Sequence, residues 1–215
     1  MQEFGFIVKR FHPKKQKFSI LSKSLGKIEL IVDSKNLSGR LWPGMLISFY
    51  LSSLNNKMHI ARNSEILMAP IEFQEEGKED LFWLHQILEY CYFFLPLQQP
   101  CEEVFDCVYR ATSFFAIKKK LENDFEGVKK LFLVKLFILF GLQPDEPIMC
   151  YIKHFERLVF ASVDFANDRV INSLRAVVSG ISRDEMERID LWVMQNLRTH
   201  HNFSLFKTVR FMSSS

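Results

Sequence analysis

The stretch Lys17-Phe18-Ser19-Ile20-Leu21-Ser22-Lys23-Ser24-Leu25-Gly26-Lys27-Ile28-Glu29-Leu30-Ile31-Val32 decides how the N-terminal region is read. Apolar residues recur at every second position, Phe18 and Ile20 before the break and Ile28, Leu30 and Val32 after it. That is the period of half-buried strands, whose successive side chains point to opposite faces. Between the two runs, Ser24-Leu25-Gly26 sets a glycine where a three-residue hairpin loop needs a positive φ. Upstream, Phe6 and Val8 repeat the alternation and are expected on one face; downstream, Ile47, Phe49 and Leu51 do the same. Asn55-Asn56 is compatible with a tight turn before a last strand from Met58 to Arg62.

Five short strands in the first 70 residues, with a loop over Asp33 to Pro43 between the third and fourth, match the size and strand count of an OB barrel. An SH3-like barrel has the same count, so strand number alone leaves both open. After Pro70 the pattern changes. Residues 71–80, with Glu75-Glu76-Gly77, read as an acidic linker, and 81–212 read as a helical domain. Leu81, Leu84, Leu88, Cys91 and Leu95 recur at helical spacing until Pro96 and Pro100 end the run. Further helices are expected at 102–121, with Val104, Val108, Ala111 and Phe115 inward, at 127–140 with Gly141 as C-cap, and at 148–160, 167–179 and 183–198. The last opens on a capping box, Ser182-Arg183-Asp184-Glu185. The fold class is therefore α+β: an N-terminal OB-fold β-barrel followed by an all-α domain.

With 48% hydrophobic and 14% aromatic residues, the 215-residue chain has enough apolar surface for a packed core, which excludes disorder. The net charge of +3 conceals a strong asymmetry. Residues 1–62 carry 11 basic against 3 acidic side chains, 63–110 carry 2 against 10, and 111–215 carry 15 against 12. A concentrated positive field attracts phosphates and releases their counterions on binding. Cys91, Cys101, Cys107 and Cys150 form no C-x-x-C pair and sit among apolar residues, as buried free thiols of a reducing compartment do. Met1 to Gly5 has neither the basic nor the apolar region of a signal peptide, so a cytoplasmic protein is expected. Leu131 to Leu142 is apolar, yet Lys129, Lys130 and Lys135 interrupt it and it falls short of the ~20 residues of a membrane span. It is expected to be a buried helix.

No Gly-rich phosphate loop, H-E-x-x-H, G-x-S-x-G or carboxylate-rich metal motif occurs, so neither an enzyme nor a cofactor is expected. His200-His201 are adjacent, and on a helix they would point about 100° apart as surface residues. The positive signal is the interleaving of cations with rings in the barrel. Lys9, Arg10, Lys14, Lys15, Lys17, Lys23, Lys35, Arg40, Lys57 and Arg62 are the candidate DNA-binding residues, with Phe11, Trp42 and Tyr50 among them. Cations track a phosphate backbone and flat rings receive unstacked bases. The three rings fit a core or domain-interface role equally well.

The order of these features resembles the RecO family of bacterial recombination and DNA-repair mediators. The residues that carry the resemblance are Phe6-Ile7-Val8-Lys9-Arg10, Lys17 to Lys23, Gly26-Lys27, Leu37-Ser38-Gly39-Arg40-Leu41, Trp42-Pro43 and Ser64-Glu65-Ile66-Leu67 in the barrel. Beyond it they are Lys135-Leu136-Phe137-Ile138-Leu139-Phe140-Gly141-Leu142-Gln143-Pro144 and the stretch Leu197 to Met212, with Lys207 and Arg210. Two departures stand out. Only Cys150 follows the Gly-x-x-Pro segment, where many members carry a four-cysteine zinc module, so no zinc is expected. The Lys-Gly common after the third strand is here Asp33-Ser34, which leaves Lys35 and Arg40 as the better DNA contacts of that loop.

The resemblance implies a non-catalytic protein that binds single- and double-stranded DNA, anneals complementary strands and helps exchange the single-strand-binding protein SSB for the recombinase. It implies RecR, and in some species RecF, as partners, and docking of the acidic SSB C-terminal tail on the helical domain. Lys118, Lys119, Lys129, Lys130 and Lys135 form the densest cationic candidate for that tail, and equally read as an ordinary amphipathic helix face. The alternative function is a non-enzymatic OB-fold adaptor for an acidic protein partner.

Overall fold

A computed structural model of the chain describes residues 2–11, 16–55, 58–70, 78–161 and 167–208. Five strands, β1 (Gln2–Arg10), β2 (Lys17–Ser22), β3 (Gly26–Val32), β4 (Leu46–Asn55) and β5 (Met58–Met68), close a barrel in the order β1-β2-β3-β5-β4 and back to β1. All neighbours are antiparallel except β3 and β5, where Leu30, Ile31 and Val32 run alongside His59, Ile60 and Ala61. The β3–β4 connection, which carries the short helix α1 (Lys35–Ser38), crosses one end of the barrel to reach a strand that does not neighbour β3. This closure is the five-stranded Greek-key order of an OB fold.

The alternation read from the sequence fills the barrel. Ile7, Phe18, Ile20, Ile28, Leu30, Val32, Leu41, Ile47, Phe49 and Ala61 form its core, each at most 1% exposed. The β2–β3 loop closes as expected, with Gly26 at φ +71°. On β1, Ile7 pairs with Ile20 but Lys9 pairs with Ser19, so Val8 is the extra residue of a β-bulge. Ile7 enters the barrel core and Phe6 packs outside it, its ring 5.3 Å from that of Phe105.

The first compact unit runs through Asp106 and takes in the chain again from Phe206; the second spans Cys107–Leu205. Helix α2 (Lys78–Phe94) and the start of α3 (Glu102–Ser113) belong to the first unit with the barrel. Phe206 is fully buried there against the rings of Tyr90, Phe93 and Phe94. The Glu89 carboxylate accepts hydrogen bonds from the backbone N–H groups of Lys207 (2.7 Å) and Thr208 (2.9 Å).

In the second unit, α5 (Phe125–Leu139) is buried nearly all round, as a helix without a polar face must be. Amphipathic helices α6 (Glu146–Val159), α7 (Asp168–Ser179) and α8 (Arg183–Thr199) pack against it. The expected helix over 102–121 is interrupted by a tighter 3₁₀ turn over Phe114–Ile117 before α4 (Lys118–Leu121). Adjacent Phe114 and Phe115 are both buried at this turn. The Thr112 and Ser113 hydroxyls donate to the Tyr109 carbonyl at the break. Among the described residues no helix is long and apolar enough to cross a membrane.

Candidate nucleic-acid interface

The topology sorts the candidate cations by barrel end. Arg10, Lys17, Lys35 and Arg40 belong to the β3–β4 connection or to the ends of β1 and β2 that share its end of the barrel. Lys23 belongs to the β2–β3 connection at the other. Lys14, Lys15 and Lys57 lie outside the described residues, and Lys35 is the first residue of α1.

The bulge at Val8 fixes the first two. It turns Lys9 to the outside, where its ammonium sits 3.9 Å from the Tyr92 ring centroid, 5.5 Å from Phe11 and 5.9 Å from Phe93. Arg10 returns to the inward register opposite Phe18, at the mouth of the barrel. Its guanidinium lies 5.9 Å from the Phe18 ring and 5.8 Å from the Trp42 ring. Lys17 reaches Glu29 across the β2–β3 pair at 2.6 Å and the Phe11 ring at 4.6 Å. A cation over a ring keeps its charge and feeds the local field, although its direction is set by the ring.

At the opposite end, Lys23 pairs with Glu102 (3.0 Å) and Asp106 (3.5 Å). The hydrogen bond it donates to Glu102, then the charge of Asp106, hold this ammonium above its ordinary range. Arg62 on β5 stands beside a second bulge, where Tyr50 pairs with it but Ser48 pairs with Glu65, and Asn63 takes φ +47°. Its Nε is 3.8 Å from Asp33 Oδ2, and both side chains are well exposed. Arg40 is exposed on the β3–β4 connection. Of the three rings, Trp42 is 58% exposed and Tyr50 46%, which removes both from the core, while Phe11 is half-buried with its ring 6.4 Å from that of Tyr92.

The β2–β3 face, the ligand platform of many OB barrels, is covered by the chain itself. Lys27 is buried there, its ammonium donating to the Tyr92 carbonyl at 2.5 Å. Loss of water pushes its pKa down. Gln98 N–H donates to the Lys27 carbonyl at 2.7 Å, and Leu97 bridges to Lys27 in parallel. Ser19 and Leu21, on the same outer face, are fully buried. Lys27 follows the positive-φ Gly26 of the β2–β3 loop. Its cover arrives from 65 residues away, and no local signal announces it.

In the second unit three of the five candidate tail-binding lysines are paired with acids of the same unit. Lys129 pairs with Glu126, Lys130 with Asp190 and Lys135 with Glu156, each at 2.6 Å. Lys118 lies 5.8 Å from the Phe125 ring, and Lys119 belongs to α4. Cys91 and Cys107 are buried as expected, but Cys101 is half-buried and Cys150 exposed; all four are free thiols. The His200–His201 pair departs from the helical expectation. His200 is the extended C-cap of α8, which lets the two rings stack at 4.4 Å. Among the described residues, no group of three or more His, Cys, Asp or Glu side chains could hold a metal ion. The sequence matches no protein-family model and no curated protein.

Proposed function

We propose that the protein is a non-catalytic DNA-binding mediator resembling RecO, which grips single- and double-stranded DNA through its barrel and anneals complementary strands during recombinational repair. What supports this reading is an OB barrel with Arg10, Lys17 and Arg40 at the end that also displays the exposed Trp42. Contacts to phosphates position a strand without reading its bases, so most of the bases stay available for pairing. RecR, RecF and the SSB tail enter as partners on the resemblance. An acidic tail on the helical unit would replace Glu126, Asp190 and Glu156 as the counter-charges of Lys129, Lys130 and Lys135.

The test is strand annealing without ATP, together with the salt dependence of single-strand binding. The triple variant Lys14→Glu, Lys15→Glu, Arg40→Glu loses annealing, and its plot of log affinity against log salt flattens by about 2–3. Wild-type annealing by that variant would remove the site from the barrel end. A wild-type protein that binds heparin as tightly as DNA, without annealing, is instead the adaptor for an acidic partner.

A further inference from the structure

We infer that Trp42, backed by Arg10, is the platform on which this barrel stacks a nucleobase of single-stranded nucleic acid; the inference rests on the DNA-binding reading and gives it a site for the base. Three independent features of the first unit converge on this indole.

The first is its display. Leu41, immediately before it, is fully buried in the barrel core, whereas Trp42 is 58% exposed. Trp42-Pro43-Gly44-Met45 forms a tight turn in which Met45 N–H donates to the Trp42 carbonyl at 3.2 Å and Gly44 takes φ +94°. Proline at the second position and a positive-φ glycine at the third are the demands of a type II turn. The turn is tied to β1 on both sides, by Gly44 N–H to the Ile7 carbonyl (2.8 Å) and Ile7 N–H to the Met45 carbonyl (2.9 Å). It also sits tightly against α2, since a Cβ at Gly44 would come within 2.8 Å of Leu84 Cδ2. The backbone that carries the indole is fixed before any ligand arrives, which lowers the entropy lost on binding.

The second feature is the electrostatics. The Arg10 guanidinium stands 5.8 Å from the indole centroid, and the exposed Arg40 lies two residues before Trp42. The indole therefore stands among cations that attract a phosphate backbone, and a base stacked on it places its own phosphates within their field. The third feature is the occupied β2–β3 face. Lys27, Leu97 and Gln98 close the platform that OB barrels commonly offer, so a strand must engage the barrel elsewhere.

The experiment compares a short oligothymidylate with an abasic deoxyribose-phosphate oligomer of equal length, which has the charge and lacks the bases. Trp42→Ala weakens oligothymidylate binding roughly 5- to 150-fold, equivalent to about 1–3 kcal/mol. Its affinity for the abasic oligomer and its salt slope stay at wild-type values. Trp42→Phe, which keeps a ring, recovers most of the affinity. Oligothymidylate also quenches the exposed-tryptophan emission of the wild type and not of Trp42→Phe, because Trp83 is buried and Trp192 packs against Phe137. If the wild type binds neither oligomer, the DNA-binding reading itself fails. If the wild type binds and Trp42→Ala binds oligothymidylate equally well, or loses both oligomers alike, Trp42 is not the platform. A loss confined to Tyr50→Ala would move the platform to the β4 face.

Discussion

Tyr90 carries its hydroxyl into a fully buried position on α2, where it accepts a hydrogen bond from Gln86 Nε2 at 2.6 Å. Burial makes the phenolate costly and pushes the pKa well above the ordinary 10.0; the Gln86 bond opposes this and the Glu89 charge adds to it. Because the folded value lies above the unfolded one, the phenol's contribution to stability is fully present below about pH 10 and is lost as the pH climbs toward the folded value. Urea unfolding followed between pH 9 and pH 11 should therefore show a steeper loss for the wild type than for Tyr90→Phe. Equal slopes would mean that another group governs the alkaline limit. At this scale the sequence was a partial guide. The stripe Leu84, Leu88 and Cys91 was legible from its spacing, but Tyr90 and Phe93 were not, because Phe206, the ring they bury against, lies at the far end of the chain. The bulge at Val8 was illegible for a different reason: it adds a residue to the strand while leaving the apolar alternation looking intact. The display of Trp42 rests on a Pro-Gly turn that the sequence does spell out, although the turn's ties to β1 and α2 are tertiary.

Among the elements, α8 has the most explicit start. Ser182 Oγ accepts from Glu185 N–H at 3.3 Å while the Glu185 carboxylate accepts from Ser182 N–H at 2.8 Å, closing the capping box. The backbone bond from Ser182, then its hydroxyl, then the Tyr151 hydroxyl hold the Glu185 carboxyl below its ordinary range. Ser182→Ala removes the hydroxyl cap and should destabilise the protein by about 1 kcal/mol, measured by urea unfolding at neutral pH. A loss near zero would mean that Glu185 and solvent satisfy the first turn unaided. Helix ends signalled by local chemistry were readable: the capping box, Gly141 at φ +88° and Pro96 all mark ends within a residue or two. The break after Ser113 was not, since two buried phenylalanines on one turn satisfy an apolar pattern whether the turn is α or 3₁₀.

For the whole molecule, the charge asymmetry and the barrel were visible in composition and alternation, and the barrel's closure required the β3–β5 pairing to choose OB over SH3-like order. The return of Phe206 to the first unit had no local signature. Phe206→Ala removes a fully buried ring from the aromatic slot on α2 and should cost about 3–5 kcal/mol. The expected readout is a lower urea midpoint, with increased binding of a hydrophobic dye as the slot opens. An unchanged midpoint would show that the slot collapses without its ring.

Phe206 also sets a timetable. At about 5–20 residues per second, the ribosome needs on the order of ten seconds to translate from the end of α2 to Phe206. Throughout that interval the barrel and its helix have left the exit tunnel, or are leaving it, with the rings of Tyr90, Phe93 and Phe94 still waiting for their partner. The nascent chain thus carries an uncovered aromatic notch until Phe206 has been made and has left the tunnel.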